Sequence, residues 1–514
     1  MTAYPNQPSS HFAEAQLIFD AVQSQLSSAE AMTSTHEQIE TLVEHEGSEI
    51  LRCLLQAHLQ LRADAERERE APDAADGAAR PHRRDSQRTV ASLFGDCVVR
   101  RIDFSGRGVK GGLRPLDAEL NLPADMYSFG LRKRAAMLAM DVSYDSSTAK
   151  FQALIRRGIG KRQLEELAVR AAADFETFYD QRQKLASNCN RSETSDKLLV
   201  LTSDGKGVVM RPEGLRPATA KKAAAASRKL QSRLSPGEKA NRKRMAEVAA
   251  VYDLEPMPRT ADDVMPPEKR TPEEAASRSK RPRPQDKRVW ASLERSLADV
   301  VGECFDEALS RDPQRQRTWV YLVDGNNHQI DTAKALAAQH NVDLTIIVDF
   351  IHVLEYLWKA AWCFHGNGDE SVDAWVRVRA RSILAGKASD VAAGIRRSAT
   401  LRGLSDKERG RADACADYLI NKRAYLRYDV ALAAGLPIAT GVIEGACRHV
   451  VNDRLGITGA RWGLPGAEAI LRLRALRSSG DFEEYWQLHV RNEQARNHLV
   501  NYATTQRLAL KLAA

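Results

Sequence analysis

Apolar residues recur at helical spacing through residues 12–70, first in FAEAQLIFDAVQ and again in IETLVEHEGSEILRCLLQAHLQLRADAERERE, which predicts helices there. Residues 71–90, APDAADGAARPHRRDSQRTV, lose that period and predict a loop. Short alternating segments such as ASLFGDCVVRRIDF predict a small β-unit over 91–123. The helical period returns at 128–141, 145–157 and 161–183, with the breaker Gly158–Ile159–Gly160 between the last two. KLLVLTSDGKGVVMR (197–211) predicts a strand, an Asp-Gly turn and a second strand, and AEVAAVYDL (246–254) a third. Residues 255–288 are rich in Pro and charge and predict an exposed excursion, followed by an amphipathic helix over 289–309. TWVYLVDG (318–325) and DLTIIVDF (343–350) read as buried strands flanking a helix, and from Phe350 onward the chain reads as helix. The pattern predicts an α/β sheet with some parallel pairs, followed by a largely helical remainder.

Composition narrows the partners. The 514 residues are 43% hydrophobic, enough for real cores. No run approaches the ~18 apolar residues of a membrane span, and the N-terminus lacks the layout of a signal peptide, so an intracellular soluble protein is expected. The seven cysteines form no CxxC pair, which leaves buried free thiols as the simplest reading. The net charge is +8, unevenly spread: residues 1–80 hold 5 basic and 14 acidic residues, whereas 216–244 hold 10 basic residues and one acid. The basic stretch reads as a nucleic-acid contact or as a flexible solvated linker. Two helices joined through a glycine turn, the second opening with Lys161 and Arg162, suit a DNA-reading helix-turn-helix or any αα-hairpin.

Three predicted strands end in an aspartate, Asp204, Asp324 and Asp349. In α/β sheets the crevice beyond the carboxyl ends of strands is where sites form. Asp204 or Asp324 alone reads as a turn former. Together, in a basic chain, they point to carboxylates gathered around divalent cations for phosphodiester chemistry. Glu444 lies near a predicted helix start, with Arg448 four residues on, as a fourth acid or as half of a surface ion pair. His352 sits among Phe350, Ile351, Val353 and Leu354, where a core histidine is the plain expectation.

The phrases LTSDGKGVVMRPEGLR, AEVAAVYDLEPMPRT, RPQDKRVWASLE, VYLVDGNNHQI, IIVDFIHVLEYLWKAA and GVIEGACRHVVNDRLGITGARWGLPGAEAILRLRAL, in that order, resemble transposases of the ISKra4 type, related more distantly to the IS256 and Mutator groups. The resemblance covers about residues 90 to 510. It implies a ribonuclease-H-like α/β core with a DDE triad and a helical insertion between the second Asp and the Glu. The triad falls on Asp204, Asp324 and Glu444, which would hold two Mg²⁺ ions, with Mn²⁺ as a substitute. The D-x-x-H motif falls on Asp349 and His352, giving His352 a place near the scissile phosphate or the metal site. CxxC pairs common in such relatives are missing here, where only Cys97 occurs, so no zinc is expected. Further DNA-contact candidates are Arg448, His449 and Arg454, and Trp462, which would stack on an unpaired base or anchor a loop.

The expected organisation is an acidic helical region (1–80), a small β-unit with a helix-turn-helix (81–190), and a catalytic core (191–514) with a basic excursion (211–288) and a helical insertion (about 355–436). The expected protein cleaves element ends and joins the 3′-hydroxyl to target DNA. Its partners are terminal inverted repeats and target DNA, bound as a homodimer, in the cytoplasm at a prokaryotic nucleoid. The alternatives are a non-catalytic or domesticated DNA-binding protein and a ribonuclease-H-like structure-specific nuclease.

Overall fold

In the computed structural model the described residues are 10–155, 158–188, 195–225, 230, 234, 235, 238, 240–266 and 281–503. Most of the basic stretch between 226 and 239, and 267–280 of the expected excursion, lie outside them. The chain divides into two compact units, residues 1–175 with 483–514, and residues 176–482. Among the described residues no helix is long and apolar enough to cross a membrane.

In the first unit, the long helix His36–Glu66 starts at a capping box, in which Thr35 and Gln38 satisfy each other's backbone N–H groups. It packs on a two-stranded antiparallel sheet of β1 (His82–Ser92) and β2 (Gly95–Ser105) through Leu59, Ala63, Val90, Cys97 and Val99. The expected loop over 71–90 is therefore strand from His82 onward. Pairing with β2 carries the arginine-rich segment, since its first four residues bury little side chain. The buried Glu66 carboxylate accepts the N–H groups of Ile102 and Leu116. Helices Phe129–Asp141, Tyr144–Ile155 and Lys161–Ala171 close around Leu131, Ala135, Phe151, Ile159, Leu164 and Leu167. The single helix expected over 161–183 is broken after Ala171 and restarts at Phe175. There the buried Asp174 is drawn to His489 at 2.7 Å and Asn492 at 3.0 Å, bonds that a continuous helix would not supply.

The second unit is built on a five-stranded mixed sheet in the order β5–β4–β3–β6–β7. The strands are β3 (Leu198–Val209), β4 (Lys243–Leu254), β5 (Gln285–Ser292), β6 (Trp319–Val323) and β7 (Leu344–Val348). The first three pair antiparallel, and β6 and β7 add parallel to β3. All five residues of β6 are buried, as a strand covered on both faces requires. Helices Leu297–Arg311 and Asn327–His340 lie on one face, where Phe305 meets Trp319, and Leu464–Ser479 packs against β5. Helices Phe350–Ala361, Ser371–Leu384, Ala388–Leu401, Asp406–Lys422 and Tyr428–Ala433 follow the sheet in sequence.

Two expectations fail here. Asp204-Gly205 makes no turn, because β3 runs straight through it, with Asp204 opposite Val248 and Gly205 opposite Glu247. A two-residue turn preference is worth little against a twelve-residue ladder whose bonds each contribute about 0.5–1.5 kcal/mol. The helix expected over 289–309 is a strand to Ser292 and a helix only from Leu297. Ser296 and Asp299 form a capping box that starts the helix four residues after the strand ends.

Phe305 is fully buried beneath the sheet. Phe305→Ala should cost about 3–5 kcal/mol in the second unit's stability, read as a lower urea midpoint of its unfolding transition.

Candidate active site at the carboxyl ends of the central strands

Strand register brings the aspartates level. Thr202 of β3 and Leu322 of β6 are the last pair of that ladder, and Asp204 and Asp324 each follow two residues beyond it. Val323 pairs with Val348 of β7, so Asp349 continues the row. Neighbouring strands lie about 4.8 Å apart, so Asp324 and Asp349 follow the ends of β6 and β7 while Asp204 lies inside β3. Ser203 and Tyr321 share a 2.6 Å hydrogen bond on the face of helix Leu297–Arg311. By alternation Asp204 points to the opposite face.

Asp204 is half-buried and held by two donors. Its Oδ1 accepts the Gly205 N–H at 2.7 Å, and its Oδ2 accepts the Cys447 S–H at 3.3 Å. Asp324 accepts the Asn326 N–H at 2.9 Å in an Asx turn, and Asn326 in turn caps helix Asn327–His340. Gly325 has φ +97°, and a Cβ there would strike the Tyr418 hydroxyl, which donates to the Asp324 carbonyl at 3.0 Å. Only glycine lets the chain leave β6 at this point.

Asp349 has no exposed surface. It caps helix Phe350–Ala361 through the Ile351 N–H at 2.9 Å and accepts a bond from the Thr440 hydroxyl. Thr440 is the residue before the short helix Gly441–Ala446, which carries Glu444. At its other end the chain passes into a π-helical turn, Cys447–Asn452, whose first residue bonds Asp204. Arg474 donates to the carbonyls of His449 and Val450, at 2.9 Å to the first, supplying partners the irregular turn lacks. The Glu444 helix is thus fastened to the end of β7 through Thr440 and to β3 through Cys447. Glu444 precedes Cys447 by three residues and shares its helix face, although its own side chain is exposed. Burial pushes the Cys447 thiol pKa up, the charges of Asp204 and Glu444 push it further, and Lys206 opposes them.

His352 lies one turn into helix Phe350–Ala361, with Nδ1 3.4 Å from Asp349. That hydrogen bond raises the imidazole pKa against the effect of burial, and the negative charges of Asp349 and Asp324 add to the rise. Glu247 on β4 is a further acid in this field. Burial raises its pKa, Arg216 lowers it, Asp204 raises it and His328 lowers it.

Among the described residues no three His, Cys, Asp or Glu side chains converge into a cluster able to hold a metal ion. The strand register brings Asp204 and Asp324 together; Glu444 is tethered beside them with its carboxylate in solvent. The donor set is all carboxylate, with Asp204 and Asp324 only half-buried, which is chemistry suited to a hard, oxygen-preferring divalent ion.

The DNA-contact candidates divide by burial. Lys161 and Arg162 are exposed at the start of helix Lys161–Ala171, beside Asp145 and Glu166 respectively. Arg448 and His449 are exposed on the π-helical turn, near Asp453. Arg454 is corrected from a surface contact to core at 2% exposed, and Trp462, at 5%, takes the loop-anchoring of its two expected roles. The Arg454 guanidinium lies 4.7 Å over the Trp462 ring, and the indole N–H donates to the Leu455 carbonyl at 3.2 Å. Trp462 also bridges to Met210 beyond β3, so it anchors its loop to the sheet.

Sequence reasoning passed over Cys447, Thr440 and Glu247. Cys447 stood at i+3 from Glu444, a spacing that puts both on one helix face. Glu247 was an acid at the start of the apolar stretch Val248–Tyr252.

Neither the family models nor the curated proteins give a match. Among solved structures, the chain is similar to the Drosophila P element transposase strand transfer complex, at 11% identity over 68% of this chain and 84% of that one. The TM-score is 0.18, too low to bear on fold or function.

The Cys447–Asp204 bond makes a direct prediction. Cys447→Ala should speed amide hydrogen exchange across residues 441–452 about fivefold, the equivalent of one ordinary hydrogen bond of about 1 kcal/mol. Cys447→Ser, which keeps a donor, should stay near wild type. Equal acceleration in both variants would show that sulfur packing, not the bond, holds the segment.

Proposed function

We propose that this chain is a DDE transposase of the ISKra4 type, with a ribonuclease-H-like core and Asp204, Asp324 and Glu444 as its metal-binding acids. The observation that carries the reading is the level register of Asp204 and Asp324 on adjacent parallel strands, with the Glu444 helix tied to both flanking strand ends. Support for the core comes from the strand order, three antiparallel strands extended by two parallel ones, with the first acid inside the central strand and the second beyond its parallel neighbour. The helices between residues 350 and 433 fall between the second acid and Glu444, as the motif resemblance leads one to expect.

Two Mg²⁺ ions, when bound, supply the charge neutralisation and oxygen polarisation needed for in-line displacement at phosphorus. The chain's part is to orient their ligands. Gly205 and Cys447 fix the Asp204 carboxylate, Asn326 fixes that of Asp324, and Thr440 sets the start of the Glu444 helix. Asp349 holds His352 and raises its pKa, which favours a charged imidazole toward a phosphate oxygen. The attacking groups are water and then the liberated 3′-hydroxyl, so no side-chain nucleophile is required. The exposed Lys161 and Arg162 open the second helix of a helix-turn-helix that would read the terminal inverted repeats. Arg448 and His449 would meet backbone phosphates beside Glu444. Two ends require two such sites, hence a homodimer on DNA, in a prokaryotic cytoplasm.

The open placement of Glu444 favours one second reading, a DNA-binding protein without catalysis. A Mg²⁺-dependent cleavage and strand-transfer assay on the flanks of the coding region separates the two. Wild type should give cleaved and joined products, and Asp204→Asn or Glu444→Gln should lower the rate at least about 100-fold while leaving DNA binding intact. Binding without cleavage in Mg²⁺ and Mn²⁺ would replace the catalytic reading with the second. Cleavage without joining would point to a structure-specific nuclease.

A further inference from the structure

In the helical region after β7, two arginines and two aromatic rings form a stack. The Arg379 guanidinium lies 3.6 Å over the Trp375 ring. Trp375 packs against Phe364 with ring centroids 5.5 Å apart, and the Arg402 guanidinium covers Phe364 at 5.3 Å. Trp375 and Arg379 come from helix Ser371–Leu384, and Arg402 follows helix Ala388–Leu401. Each guanidinium donates to one main-chain carbonyl, Arg379 to Trp375 at 3.0 Å and Arg402 to Phe364 at 2.6 Å.

Among the described residues neither arginine meets a carboxylate. The acid in the cluster, Asp369, is already taken by the Ser371 N–H at 2.9 Å, the Ser371 hydroxyl and His365. Elsewhere on the same helices arginines do find acids, as Arg381 does with Asp262 and Arg396 with Asp417. Arg379 is also half-buried, and burial together with the Arg402 charge pushes its pKa down to about 10. Two like charges on neighbouring aromatic rings, Arg379 half-buried and Arg402 exposed, are unfavourable alone and preorganised for an anion. A guanidinium has five N–H donors in a fixed plane, and stacking turns its edge, not its face, toward an incoming ligand.

We infer that Arg379 and Arg402 form a phosphate-binding clamp in the helical insertion, which grips a DNA backbone phosphate away from the acidic site. The choice of phosphate over another anion rests on the DNA reading above. Through this clamp the insertion holds the duplex by its backbone without reading sequence. Free inorganic phosphate carries the same chemistry, and the experiment separates the two sources.

The test is fluorescence anisotropy of the full chain on a duplex carrying an element end, across a salt series. The variants are Arg379→Gln, Arg402→Gln and the double, with ion-paired Arg396→Gln as control and circular dichroism to verify folding. The double variant should bind about 10-fold more weakly near ~0.1 M salt, and its slope of log affinity against log salt should fall by about 1. Arg396→Gln should change neither. Affinity and slope unchanged in a folded double variant would overturn the clamp. If wild type binds no duplex at any salt, the DNA reading fails, and calorimetry with inorganic phosphate decides the clamp. Heat of binding in wild type that is lost in the double variant would keep the anion site with free phosphate as its ligand. No heat in wild type would overturn it.

Discussion

The buried carboxylate of Asp349 is the constraint on which the candidate site depends. With no exposed surface, it must find donors from within the fold, and it finds them in the Ile351 N–H, the Thr440 hydroxyl and His352. Those bonds start the helix that leads into the insertion and, 91 residues later in the chain, fasten the helix that carries Glu444. The helices between Phe350 and Ala433 leave the end of β7 and return beside it. Thr440 on Asp349 pins that return, and Cys447 on Asp204 is the second pin.

Much of this was legible in the chain. The strand before Asp324 was legible from its apolar run and is buried throughout, whereas β7 before Asp349 lies at the sheet edge and is buried only in its last two residues. The helical remainder after Phe350 was equally clear from its period. The turn expected at Asp204-Gly205 was wrong for an instructive reason. Local turn preference is a property of two residues, whereas β3 is held by β4 along its whole length, and that partner lies across a connection whose residues carry no strand signal. Arginine-rich β1 was hidden in the same way, since pairing with β2 rather than side-chain burial makes it a strand.

Candidate site residues were legible as types but not as contacts. Asp204, Asp324 and Glu444 announce themselves as acids in unusual settings. That Cys447 bonds Asp204 depends on the π-helical turn, which rests on the Arg474 guanidinium 25 residues on from His449. Arg454 looked like surface chemistry because a cation near an acid suggests DNA, whereas for Trp462 the chain left base stacking and a loop anchor both open. Their mutual stacking buries both instead, and the pair ties its loop to the sheet.

The most direct measurement is iron-mediated backbone cleavage. Fe²⁺ substituted at a Mg²⁺ site generates hydroxyl radicals that cut the polypeptide beside the bound ion. The account predicts cuts near Asp204, Asp324 and Glu444 together, suppressed by excess Mg²⁺ and lost in Asp204→Asn. Cuts confined to other parts of the chain, or none at these three positions, would contradict it.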